Sequence, residues 1–394
     1  YICNSLPNSI TSGSDIVAFN MLKKLKKSYE IHAISINSNY CKKDELIKIH
    51  KELKQKKIKY HEINQKIPIK KKGLTIFNFF KKNYINTSEV FKAQKFIGKI
   101  DIKKDDIILA FGSSAIFASK NIKCLKIALF EDLQEQIHIY RTLLSFNKFN
   151  FIKKSLKLIM LKIHFRDYNN WLKKISVNHQ IKYTFSPFDY SCLKNKMNLK
   201  VLPLPWYLPT FKQKKQNKKL FNISMFSTTI TQDFNGVIML YDHLLPKLKN
   251  ENLLNKIKIN LIMRVPENIP KKIKKIVNDK NIYVCRYNKK IIENTDLLFY
   301  PSKYPVGIRT KILFAFSRSW LVATSSIIKK CIPELSNLKN CVLSNDIDIL
   351  SQKIIDIIKN PKKYNYLKLN GFKVLKQYSI ENFSKVINKD INKN

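Results

Sequence analysis

The chain has 394 residues, 44% of them hydrophobic, and a formal net charge of +46 from 74 basic and 28 acidic side chains. That length is more than one ordinary core needs, and that apolar content excludes a globally disordered chain. No apolar run approaches the roughly 18–20 residues of a membrane span, and seven scattered cysteines without CxxC spacing exclude a disulfide framework or zinc ribbon and point to a reducing, cytoplasmic compartment.

Short apolar runs alternate with longer amphipathic ones along the whole chain, the mark of a parallel α/β architecture. The opening YICNSLP reads as the end of a first strand, Tyr1–Cys3, expected to begin upstream of Tyr1; no signal-peptide pattern is present. Strands follow at Glu30–Ile36, Ile58–Ile63, Asp106–Phe111 and Cys124–Phe130, with helices such as Ser14–Lys27 and Lys43–Gln55 between them. A long basic helical region, Gln134 to Ile175, precedes strands at Lys182–Phe185 and Leu199–Leu202. PLPWYLPT and the lysine-rich run after it break regular structure, and the segment 205–219 reads as a linker. A second series then begins: strand Leu220–Phe226, helix Asn235–Lys249, strand Ile257–Met263, helix Lys271–Val277, strands Ile282–Arg286 and Asp296–Tyr300, helix Ile308–Arg318, strands Trp320–Thr324 and Cys341–Leu343, and helix Ile347–Lys359. The expected organisation is an N-terminal Rossmann-like domain over 1–204 and a C-terminal one over 220–376. A C-terminal helix, 377–394, is expected to pack back on the first domain.

Glycine is scarce, with seven in the chain, and three of them follow a strand and open a helix: Gly13, Gly112 and Gly307. Ligands of parallel α/β sheets bind beyond the carboxyl ends of the strands, where helix N-termini offer N–H groups and a partial positive charge suited to phosphate. In VGIRTKILFAF, Arg309 and Lys311 fall in the first helical turn, where cations oppose the helix dipole by roughly 0.3–1 kcal/mol each. An anion in front of that turn, such as a diphosphate, accounts for them; ordinary surface cations of a lysine-rich chain are the alternative. On the N-terminal side, KIALFEDLQEQ puts Asp132 at the carboxyl end of a strand. A carboxylate there can take a proton from an acceptor hydroxyl, or Asp132 can cap the following helix with Glu135 completing a capping box. The seven histidines show no HxxxH or HExxH spacing, so no metal site is expected.

Taken together, TDLLFYPSKYPVGIRTKILFAFSRSWLVATS resembles the donor-binding segment of GT-B-fold glycosyltransferases of the group 1, family 4-like kind, as a divergent member. LPNSITSGSDIVAFNMLKKLKKSYEIHAISI, IKYTFSPFDYSCLKNKMNLKVLPLP and ISMFSTTITQDFNGVIMLYDHLLPKL resemble further segments of that family in order, with Asn235 and Pro246 where a subgroup has the same residues. The resemblance implies two Rossmann-like domains facing each other across a cleft and transfer of a sugar from a nucleotide-sugar donor to a glycan or lipid-linked acceptor in cell-surface polysaccharide or lipopolysaccharide synthesis. It implies retention of anomeric configuration and no cofactor or metal, the nucleotide-sugar being a co-substrate. Gly13, Ser14, Gly307, Arg309, Thr310 and Lys311 are then the expected donor-binding residues and Asp132 the expected catalytic residue. Two family glutamates of the donor segment are replaced by Val306 and Phe314, which cannot hydrogen-bond a hydroxyl; Ser227 stands where the family has a glycine, and that loop's usual Arg and Lys are absent. A catalytically silent GT-B scaffold that binds nucleotide-sugars is therefore an alternative.

The charge also admits two readings. Only six of the basic residues are arginines, while Lys, Asn and Ile run high, as coding from an AT-rich genome produces. A basic nucleic-acid-binding protein would favour arginine's bidentate fork and a recognisable module, and neither is found, so no specific nucleic acid is an expected partner. The stretches 67–85 and 146–175 interleave Lys with Phe, Ile, Leu and Trp, which suits either core packing of a lysine-rich helix or an anionic membrane surface at the inner face of a membrane.

Overall fold

The structure is a computed structural model and describes every residue except 4–5, 10–12, 37–42, 63–92, 131–150, 196, 212–219, 228–230, 264–268, 287, 306 and 394. The chain divides into two units, one of Tyr1–Gln136, Ser155–Tyr207 and Tyr378–Asn394, the other of Ile137–Lys154 and Leu208–Gln377. Among the described residues, no helix is long and apolar enough to cross a membrane.

The first unit is built on a parallel sheet of β1 (Ile2–Cys3), β2 (His32–Ser35), β3 (Lys59–Glu62), β4 (Ile107–Phe111), β5 (Leu125–Phe130), β6 (Ile181–Thr184) and β7 (Lys200–Val201). Their order is β3-β2-β1-β4-β5-β6-β7. Helices cover both faces of such a sheet, so its central strands are nearly continuous apolar runs. Ile127, Ala128 and Leu129 of β5 are all buried. Lys126, also buried, keeps its place because its Nζ donates to the carbonyls of Lys120 and Ile122 at 3.0 and 2.6 Å, and burial lowers its pKa. The covering helices include α1 (Gly13–Leu25), α2 (Lys43–Gln55), α3 (Ser113–Ser119), α4 (Phe151–Ser176) and α5 (Pro187–Leu193). Leu172 and Ile175 of α4 join the core formed by Ile34, Ile108, Ala128 and Phe130.

The chain's last helix, Ile380–Ile391, belongs to this unit. Its N-cap is Ser379, whose Oγ accepts from the Asn382 amide at 3.2 Å. Trp206 N–H donates to Tyr378 at 3.0 Å and its carbonyl accepts from Ile380 N–H at 2.9 Å, pinning the start of the helix. At the other end the Tyr183 hydroxyl and Lys200 Nζ donate to the Asp390 carboxylate at 2.5 and 2.7 Å. Burial pushes the Asp390 carboxyl up, but those two hydrogen bonds together with the charges of Lys200 and Lys393 outweigh it and hold the group below its usual range.

The second unit carries β8 (Phe221–Phe226), β9 (Ile257–Ile262), β10 (Ile282–Cys285), β11 (Leu297–Tyr300), β12 (Leu321–Thr324) and β13 (Val342–Leu343), parallel, in the order β10-β9-β8-β11-β12-β13. Helix α6 (Thr231–Met239) runs through a π-helical stretch, Leu240–Leu244, into α7 (Leu245–Asn250). Pro246, at the start of α7, has no N–H to donate to the turn before it, and the helix widens there. From β8 the chain builds outward to β10, then crosses back to β11 on the other side of β8. The strand order therefore reverses between β8 and β11, and the carboxyl ends of these two strands mark the switch point, the usual ligand position in a doubly wound sheet.

Candidate functional site

The segment after β11 fills that switch point. Helices α8 (Lys271–Val277) and α9 (Lys289–Asn294) precede β11; Tyr300 ends that strand, and residues 301–309 lead into α10 (Thr310–Ser317). Gly307 has φ 64°, a left-handed conformation that costs an L-residue about 1–2 kcal/mol and glycine little. The loop is organised around Tyr304, 2% exposed, whose carbonyl accepts from the Ser302 hydroxyl at 3.1 Å and from Arg309 Nη2 at 2.9 Å. The Arg309 guanidinium also lies over the Tyr304 ring, 5.4 Å from its centroid. Arg309 is thus the N-cap residue of α10 with its side chain turned back onto its own loop. The Ser302 amide donates to Ser325 Oγ at 2.9 Å, and Thr324 Oγ1 donates to the Tyr300 carbonyl at 2.6 Å, so the end of β12 anchors the same segment.

Lys311, in the first turn of α10, reaches across the switch point. Its Nζ donates to the Phe226 carbonyl at the end of β8 at 3.4 Å and lies 5.3 Å from the centroid of the Tyr300 ring at the end of β11. The first turn of α10 carries no acidic residue. A cation held at the positive end of a helix, with no carboxylate of that turn beside it, favours an anion. The helix behind it is rigidly seated: Ile312, Leu313, Ala315 and Phe316 are fully buried.

Phe314 sits in an aromatic environment. Its ring meets Trp320 edge-on at 5.6 Å and Phe226 edge-on at 5.9 Å, while Phe226 and Trp320 stack at 6.1 Å. Arg318 lies over the Phe314 ring at 5.3 Å. An aromatic cluster therefore occupies the space next to the Lys311 carbonyl partner. On the other side of β8, α6 presses against the loop, since a Cβ on Gly236 would lie 3.2 Å from the Pro301 carbonyl oxygen and 2.5 Å from Met225 Cε. The neighbouring Asn235 is buried, and its Nδ2 makes no hydrogen bond among the described residues.

Of the residues expected from the sequence, Gly307, Arg309, Thr310 and Lys311 come together in one loop and helix start of the second unit. Gly13 and Ser14 open α1 after β1 in the first unit. Asp132 and Val306 lie outside the described residues. Sequence reasoning passed over Tyr304, which sets the loop, and gave Asn235 no role. The signals available for them were an aromatic between lysine and proline in PSKYP and an Asn-Gly pair inside a helix.

No protein-family model and no curated protein matches the chain. Solved structures do. A glycosyltransferase from Rickettsia africae aligns over 100% of this chain and 98% of its own at 15% identity, with a TM-score of 0.64. HepE from Anabaena, solved with UDP and glucose, aligns over 98% of each chain at 12% identity, TM-score 0.67. TarM from S. aureus, solved with UDP, α-GlcNAc-glycerol and fondaparinux, aligns over 77% of this chain and 59% of its own at 13% identity, TM-score 0.57. Likeness of this kind defines the fold: the chain is an α/β protein with the GT-B fold of these glycosyltransferases.

Proposed function

We propose that this chain is a glycosyltransferase that moves a sugar from a nucleotide-sugar donor to a glycan or lipid-linked acceptor. The observation that carries the reading is Lys311, held at the amino end of α10 and hydrogen-bonded to the last carbonyl of β8 at the switch point of the sheet. A donor diphosphate placed there would meet an ammonium group and a helix N-terminus. When the bond between the anomeric carbon and the diphosphate oxygen breaks, negative charge grows on that oxygen, and these groups stabilise it. The buried Nδ2 of Asn235 is a donor that a bound nucleotide-sugar would satisfy. The acceptor hydroxyl forms the new bond to the anomeric carbon and gives its proton to a carboxylate, the role assigned to Asp132. Gly13 and Ser14 are proposed to contribute to donor binding from the start of α1. Retention of configuration, chemistry without a bound metal, and a place in cell-surface polysaccharide or lipopolysaccharide synthesis come with the family resemblance.

The aromatic setting of Phe314 favours a second reading, a GT-B protein that binds a nucleotide-sugar without turning it over. Thermal-shift titration against UDP, GDP, CMP and ADP sugars, followed by donor hydrolysis and transfer assays, separates the two. Binding with turnover supports the transferase. Binding with neither hydrolysis nor transfer supports the silent protein, and stabilisation by none of the four classes removes the donor site. For Asp132→Asn, the transferase reading expects lower turnover with donor affinity nearly intact. Full activity with about 0.5–2 kcal/mol of lost stability in Asp132→Ala would make the residue a helix cap instead.

A further inference from the structure

Helix α4 is apolar on two sides. Its inner side, with Leu161, Leu172 and Ile175, is buried. Its outer side shows Leu156, Ile159 and Ile163, each more than half exposed, at 54%, 54% and 51%. Their spacing of three and then four residues puts them in one stripe along about 10 Å of helix. Val177, just beyond the helix, is also exposed, at 69%. By helical periodicity Lys162, Arg166 and Lys173 flank this stripe and Lys174 lies on it, and all four are exposed. Residues 151–177 hold seven basic side chains against one acidic, Asp167.

Three half-exposed aliphatics in a row forgo about half of the stabilisation that full burial of such side chains brings. A core-packed surface helix would carry polar residues there. We propose that this face of α4 docks on an anionic lipid surface, with Leu156, Ile159 and Ile163 entering the boundary between headgroups and acyl chains. The cations keep their charged ends among the phosphates while their stems lie along the apolar stripe. The chemistry favours lipid over nucleic acid: the exposed apolar groups are aliphatic, not aromatic platforms for bases, and only Arg166 of these four cations is an arginine. The proposal is independent of glycosyl transfer and is read by binding alone.

The experiment is co-sedimentation of the full chain with vesicles of phosphatidylcholine alone and of phosphatidylcholine with phosphatidylglycerol, each at low and at physiological salt. Binding should require the anionic lipid. Replacing Lys162, Arg166, Lys173 and Lys174 by Gln should lower partitioning by roughly fivefold per cation. Replacing Lys271, Lys272, Lys274 and Lys275 by Gln removes the same number of cations from α8 (Lys271–Val277), whose isoleucines are buried and whose Lys272 is paired with Asp242, and should matter far less. Leu156→Ser with Ile159→Ser and Ile163→Ser should cut partitioning at least tenfold with the melting temperature retained. In Ile159→Trp, fluorescence should shift to the blue on vesicle binding and be quenched by lipids brominated in their acyl chains. Equal loss from the α4 and α8 lysine sets, binding indifferent to the serine triple, no quenching, or competition by duplex DNA that outlasts physiological salt would each overturn the proposal.

Discussion

At the scale of single residues, the two cations of the donor loop do different things. Lys311 points across the switch point, where its Nζ donates to the Phe226 carbonyl at 3.4 Å, a loose contact that an anion would replace. Arg309 is half-buried, hydrogen-bonded to Tyr304 and packed on its ring. Lys311→Ala should weaken nucleotide-diphosphate binding by roughly 1.5–3 kcal/mol, the range for a hydrogen bond to a charged group, and leave the unfolding midpoint nearly unchanged. Arg309→Ala should lower both, because it also strips the loop of its organising contact. Calorimetric titration beside chemical denaturation reads the split; unchanged affinity in Lys311→Ala would remove that residue from the site. A second residue sets a pH dependence. His179 is fully buried, shares a 3.0 Å hydrogen bond between its Nε2 and Ser119 Oγ, and its Nδ1 has no partner among the described residues. The Ser119 hydroxyl donates to the Ala115 carbonyl at 2.8 Å, so the ring carries its own hydrogen on Nε2. Burial first, then the charges of Lys126 and Lys182, push its pKa down to about 3. The unfolded chain binds a proton at this histidine below about pH 6.5 while the folded chain does not until about pH 3, so stability falls as pH drops through that window. By linkage the loss is about 2 kcal/mol at pH 5. Urea denaturation at pH 7 and pH 5 should show this difference in the native chain and lose it in His179→Gln; identical pH dependence in both would refute it.

At the scale of elements, the position of α10 depends on a neighbour far along the chain. Helix α12 (Asn365–Val374), which follows α11 (Ile347–Lys359), lies against α10 at Gly371, where an added Cβ would stand 2.5 and 2.6 Å from two ring carbons of Phe316 and 3.2 Å from the Asn340 carbonyl oxygen. Phe316 is fully buried, so its ring has little room to yield. Two effects of Gly371→Ala oppose each other. Alanine is better than glycine inside a helix by about 1 kcal/mol, whereas overpacking a filled core costs typically 1–3 kcal/mol. The distances to a buried ring decide for the clash: Gly371→Ala should destabilise the chain by about 1–2 kcal/mol and weaken nucleotide binding, because relief comes from moving α10 and Lys311 with it. A gain in stability would mean that α12 retreats freely and does not position the site. The same logic appears in the first unit, where the last helix is fastened by Asp390 to Tyr183 and Lys200. Tyr183 and Asp390 stand 207 residues apart, and no local pattern couples them.

At the scale of the whole molecule, the sequence disclosed what is local and concealed what is not. Parallel strands buried on both faces appear as short apolar runs, so Ile107–Phe111, Leu297–Tyr300 and Leu321–Thr324 could be read directly. Gly307 with Lys311 could be read as a loop entering a helix, because glycine scarcity and misplaced cations are themselves local signals. The strand order that puts β8 beside β11, and so brings Phe226 to Lys311, depends on crossovers that no window contains. Phe314 illustrates the limit: the family resemblance implies a carboxylate lost at its position, and only the fold shows Phe226 and Trp320 around it. Net charge is a whole-molecule quantity as well, and it is the one most open to misreading. At +46 the chain will attract any polyanion at low salt. If composition rather than recognition accounts for most of the lysines, that attraction has no register, since only six arginines are available for bidentate contacts to bases or phosphates. Binding to duplex and single-stranded DNA should then be weak at physiological salt, fall linearly in log K against log salt with the steepness of released counterions, and show no preference among sequences. Fluorescence anisotropy with two unrelated duplexes and a homopolymer across a salt series measures all three. Tight, salt-resistant and sequence-selective binding would mean that the charge has been selected for nucleic acid, and the glycosyltransferase assignment would have to give way to it.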